Sequence, residues 1–167
     1  GLCGSVPGHG FIVQSPDFTI GYNNLNMGRD LEIRVNGSCD TVLLVNDANG
    51  QWHFSDDENG TFNPSMRLPN APSGSYDIWV GTFSQGNCGA TMSMETFGGG
   101  AVPPPPPPPP PPTAGVCPSF QQSGSAASVD ANSLWSPRDF SVTAGGNIDL
   151  GLCGSVPGHG FIVQSPD

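Results

Sequence analysis

Hydrophobic and polar residues alternate with a period of two in short runs along much of this chain. Leu31, Ile33 and Val35 alternate with Glu32 and Arg34, the pattern of a strand with one face buried and the other in water. Phe18, Ile20 and Tyr22 repeat it, as do Ala90, Met92 and Met94 set against Thr91, Ser93 and Glu95. The spacing also predicts strands over 10–13, 51–54, 76–83, 139–143 and 147–153. Within 76–83, Tyr76, Ile78 and Val80 share one face, and Trp79 and Phe83 point the other way. Thr41–Asn46 carries a nearly continuous apolar run, Val42 to Val45, expected of a central strand buried on both faces. Turn signals separate these runs: Asn36-Gly37, Asn49-Gly50, Asn59-Gly60 and Ser73-Gly74. No window repeats apolar residues at helical spacing. Eight or nine short strands so punctuated predict an all-β chain, an antiparallel β-sandwich of jelly-roll type.

The chain also repeats itself. Residues 1–17 read GLCGSVPGHGFIVQSPD, and residues 151–167 read the same string, so the sequence has a period of 150. Ile148, Leu150 and Leu152 alternate across the start of the second copy, which places that point inside a strand. The expected folding unit is therefore permuted relative to the numbering. It starts near Cys117, runs through 150/151 and ends near the equivalent of Phe97, 131 residues in all and long enough for a sizeable core. On this reading 1–97 is the C-terminal part of one repeat and 117–167 the N-terminal part of the next. Each piece would be completed by neighbouring copies, either along one polypeptide as a covalent tandem repeat or by strand addition between separate chains.

Between them lies a linker, 98–116. Ten consecutive prolines, Pro103–Pro112, lack amide donors and have φ fixed near −65°, which dictates a polyproline II rod. At about 3.1 Å per residue the rod spans about 31 Å, and Gly98-Gly99-Gly100 before it forms a hinge.

Composition narrows the partners. Only four residues are Lys or Arg and the formal charge is −10, which disfavours nucleic acid and anionic membranes. No stretch approaches the roughly 18 apolar residues of a membrane span. The five cysteines reduce to four per period, because Cys153 is the copy of Cys3. An even number with no CxxC pair predicts two disulfides, an oxidising compartment and an extracellular protein. Four cysteines allow three pairings; the preferred one joins Cys117 to Cys153 and Cys39 to Cys88, with Cys3 bonded to the Cys117 equivalent of the preceding repeat.

The stretch from Asp40-Thr41-Val42-Leu43-Leu44-Val45 through Asn49-Gly50 to Trp52, then Asp56-Asp57, then Gly74-Ser75-Tyr76-Asp77-Ile78-Trp79-Val80-Gly81, resembles the bacterial pre-peptidase C-terminal domain family. The resemblance covers about 45 residues. It implies a β-sandwich of the kind appended to secreted enzymes, where it aids binding, secretion or stability. The cysteines and the proline rod depart from that family's pattern.

Several residues carry candidate chemistry. Asp47, Asn49, Asp56 and Asp57 supply hard oxygen donors around glycine turns and could hold Ca²⁺, though the spacing is not that of an EF-hand and the same residues build turns. Asn36 and Asn59 head N-glycosylation sequons, while Asn63 is excluded by Pro64. Trp52, Trp79 and Trp135 could stack on sugar rings or on proline, or fill the core. Neither His9 nor His53 sits in a catalytic motif, and no catalytic constellation appears. The sequence thus points away from an enzyme and towards a structural subunit of an extracellular filament or fibril. In it, tandem β-domains are spaced by polyproline helices and glycosylated, for surface coating or cell adhesion. The alternative is an ancillary carbohydrate- or protein-binding module of a secreted hydrolase.

Overall fold

The computed structural model describes residues 6–57, 60–98, 117–120 and 125–153, the last without the Cys153 side chain. The described residues form eleven strands in two sheets. In chain order these are β1 (Phe11–Ile12), β2 (Phe18–Asn23), β3 (Asp30–Gly37), β4 (Thr41–Asn46), β5 (Trp52–Ser55) and β6 (Ser65–Leu68). They continue with β7 (Gly74–Thr82), β8 (Asn87–Phe97), β9 (Ser125–Asp130), β10 (Arg138–Gly145) and β11 (Ile148–Asp149). A 3₁₀ turn (Ser133–Trp135) precedes β10, and a four-residue helix, α1 (Leu150–Cys153), follows β11.

The smaller sheet runs β10-β8-β3-β6, antiparallel throughout. In the larger sheet β7 is central. β4 covers one edge of β7 from Thr41↔Thr82 to Asn46↔Asp77, with β5 beyond it. β2 and β1 share the other edge in tandem, β2 against Gly74–Ile78 and β1 against Thr82. β9 pairs with β2 and β11 with β1. The β2–β9 pair is parallel, a departure from the all-antiparallel expectation.

The main core lies between the sheets. It is built from the alternating residues of both inner faces: Phe18, Ile20 and Tyr22; Leu31, Ile33 and Val35; Tyr76, Ile78 and Val80; Met92 and Met94. The outer face of β3 shows why Arg34 is there. Register sets Glu32 directly opposite Glu95, a like-charge pair, and Arg34 reaches both carboxylates. β4 is buried along its whole length, as its unbroken apolar run predicts, because Leu43 and Val45 enter the main core while Val42 and Leu44 face outward into a second cluster.

The described strands on the two sides of the proline run thus pair into the same two sheets. β9, β10 and β11 complete sheets begun by strands on the other side of the proline run, and Thr96 Oγ1 donates to the Ala131 carbonyl across that divide. Three strands differ from expectation. The strand predicted over 147–153 stops at Asp149, whose carboxylate accepts the Gly151 amide at 2.8 Å and turns the chain into α1. Leu150 is fully buried, but Leu152, predicted to share its face, is exposed. β6 and β9 were not predicted: β9 (Ser-Ala-Ala-Ser-Val-Asp) has one large apolar residue, and its pairing with β2 makes it a strand.

Candidate functional site

The duplicated string is built into the fold, and its contacts define a seam on the outer face of the larger sheet. Residues 6–17 cross this face and run along the open edge of β7. Val6 and Ile12 are buried with Val42, Leu44, Phe54, Trp79, Cys117, Ile148 and Leu150 in the second apolar cluster. β1 lies between β7 and β11, with Phe11 opposite Thr82 on one side and Asp149 on the other. The Gly10 carbonyl accepts the Leu150 amide at 2.8 Å, and the Gln14 carbonyl accepts the Ser119 amide at 2.7 Å.

Two glycines make this close approach feasible. Gly10 has φ +114, a conformation side chains rarely adopt, and a Cβ there would stand 2.7 Å from the Thr82 carbonyl oxygen. On the opposite side a Cβ at Gly146 would stand 2.0 Å from the Ile12 carbonyl carbon.

Between β1 and β2 the chain leaves the ladder, so the Val80 amide of β7 faces no strand partner. The Asp17 carboxylate accepts it instead, at 2.8 Å. Burial dominates this carboxyl and pushes its pKa up to about 6, against the opposing pull of backbone amide donors at Val80 and Asp17. A folded pKa above the unfolded 3.8 means that the folded state holds the proton more tightly. The contribution is therefore full below about pH 4 and is lost as pH rises through 6. Asp17→Asn keeps an acceptor for Val80 without the buried charge. It is expected to be more stable than the parent at pH 7, by roughly 2–3 kcal/mol, and to match it near pH 3.5. Urea denaturation of both proteins across that range checks this; an unchanged difference at every pH would refute it.

Cys39 and Cys88 form the expected disulfide, Cα–Cα 6.1 Å apart, tying the β3–β4 turn to β8. Cys117 is also disulfide-bonded and lies buried in the second cluster. Its expected pairing with Cys153, and Cys3 itself, fall outside the described residues.

The structure moves Trp79 from the surface to the interior. It does lie on the face opposite Tyr76, Ile78 and Val80, but that face is covered by the string and by 117–120, so Trp79 is fully buried. Its indole packs on Trp52 (5.4 Å) and Phe120 (6.4 Å), and its Nε1 donates to the Gln14 carbonyl at 3.4 Å. Phe120, which sequence reasoning did not single out, is partly exposed and also packs on Trp52. Trp135 is exposed, with the Arg29 guanidinium 4.1 Å above its ring.

Asp47 is spent on its own turn. One oxygen accepts the Asn49 and Gln51 amides and the other meets His53 Nε2 at 2.8 Å. Burial would raise its pKa, but those hydrogen bonds together hold it below the usual carboxylate range. Asp56 accepts the Asp57 amide. Among the described residues no three His, Cys, Asp or Glu side chains come close enough to hold a metal ion. Asn36 is exposed near the end of β3. Asn59 lies outside the described residues. His9 packs on Phe83 at 4.9 Å in the seam.

No protein-family model, curated protein or solved structure matches this chain. Among the described residues no helix is long and apolar enough to cross a membrane.

Proposed function

We propose that this chain is a structural subunit of an extracellular filament, built from β-sandwich units of pre-peptidase C-terminal type and spaced by polyproline rods. The observation that carries this reading is the duplicated string. Residues 6–17, integral to the sandwich, occur again 150 residues later, so the sequence offers two identical segments to the same kind of groove. Repetition supplies length, and a donor segment that leaves one body to fill the next gives a head-to-tail contact, which propagates without closing. The proline rod sets the separation between bodies. Disulfides resist unfolding under load and suit an oxidising compartment. The fully buried Trp79 weakens the case for a sugar-binding module, whose stacking platform would need that indole at the surface. Asn36 offers an exposed attachment point for a glycan on a fibril that coats or adheres, and the unit has no catalytic task.

Sedimentation velocity of the oxidised chain from micromolar to millimolar concentration, followed by negative-stain imaging, tests the proposal. Growing linear species support it. A single compact species throughout, with no rods in the images, refutes it.

A further inference from the structure

We propose that the groove holding residues 6–17 is an exchange site, and that residues 151–167 of a second copy of this chain take the place of residues 1–17. The inference rests on the filament reading and names its contact. The second copy reproduces every group the seam uses. Val156 and Ile162 match the buried Val6 and Ile12, and Gly160 matches Gly10, where the Thr82 carbonyl leaves no room for a Cβ. The Gln164 carbonyl matches the acceptor of Trp79 Nε1 and Ser119 N, and the Asp167 carboxylate matches the acceptor of the Val80 amide.

Exchange therefore swaps identical contacts and leaves their sum unchanged. What decides it is the cost of association against the local concentration of donors, the usual balance of domain swapping. The link is short: six steps lead from Leu150, seated in the donor's own body, to Val156, and with Leu150–Cys153 in α1 they cover about 15 Å, so exchange requires the two bodies to lie side by side. A dilute chain keeps its own string in the groove, while chains held close along a fibre trade strings.

The test uses an acceptor chain carrying both Gly10→Val and Gly160→Val, so that neither of its strings fits its groove. A dye-labelled acceptor is titrated with the parent chain and with a chain carrying only Gly160→Val. The expected result is a 1:1 complex with the parent and binding weakened about 100-fold or more by Gly160→Val, as befits a backbone clash at a tightly packed site. Equal binding by both chains, or none by either up to millimolar concentration, overturns the proposal. Because the acceptor could fail to fold, a synthetic peptide of residues 151–167 with Cys153→Ser is also added to it. Recovery of a cooperative thermal transition is expected, and no recovery counts against the proposal. The single Gly10→Val chain should associate as its concentration rises; a folded monomer at all concentrations would mean that its own second string fills the groove, which also overturns exchange between chains. Filaments that persist unchanged with Gly160→Val would refute the exchange and leave the filament reading standing. A 1:1 complex without filaments would do the reverse.

Discussion

Replacing Cys39 and Cys88 together by alanine is expected to destabilise the fold by about 4 kcal/mol, the chain-entropy value for a loop of this size. The two residues are 49 apart in sequence. Their bond ties β8, in the smaller sheet, to the turn from which β4 enters the larger one. Without it the unfolded chain gains the freedom of that whole loop, while the native contacts around both positions persist. Natural domains are stable by roughly 5–15 kcal/mol, so the loss takes a large share of the total. Urea denaturation of the oxidised parent and the double variant should show the midpoint falling by about 2 M with little change in cooperativity. A shift equivalent to less than 1 kcal/mol would mean that the sheets alone set the stability.

Trp79→Ala is expected to cost about 3–5 kcal/mol, the range for deleting a large buried aromatic. Trp79 is fully buried at the centre of the second apolar cluster, under the duplicated string and beside Trp52 and Phe120. Truncation leaves a cavity on one side of the sheet only, so the main core between the sheets stays packed. For a chain of this size the melting temperature should fall by roughly 10–15 °C. Amide exchange should separate the two clusters: the Leu150 amide, bonded to Gly10 in the seam, should lose protection before Ile33 of β3 does. Uniform loss across both sheets would contradict the division into two clusters.

Much of this architecture was legible because alternation and burial agree. β3 and β7 buried the residues their period-two patterns assigned inward, and Val42 to Val45 read as two-sided because an outer layer does cover β4. The failures share a cause, tertiary context that one-dimensional patterns do not carry. Trp79 looked outward because alternation reports which face a residue takes and not whether that face is covered. β6 is four residues bracketed by Pro64 and Pro69, too short for a periodic signal, and β9 exists through its parallel neighbour. The strand expected to run through 150 was ended by the Asp149 cap, a side-chain hydrogen bond that competes with the ladder. Of the seam itself, the duplication was plain in the sequence. That its residues fill a groove closed by Gly10 and Gly146 required the fold. The signal available earlier was the density of glycine around an apolar triplet, Gly8-His9-Gly10 before Phe11-Ile12-Val13, which marks a strand approached closely by other backbone.

The axial repeat of native material, measured by cryo-electron microscopy, tests the filament account most directly. A compact unit of 131 residues is about 35 Å across by the usual size scaling. On the filament reading the ten prolines form a polyproline II rod that adds about 31 Å. The account predicts a beaded fibre with an axial repeat of at most roughly 70 Å, shorter if the rods run back along the bodies. Isolated particles, or a fibre whose repeat lies well above that ceiling, would contradict it.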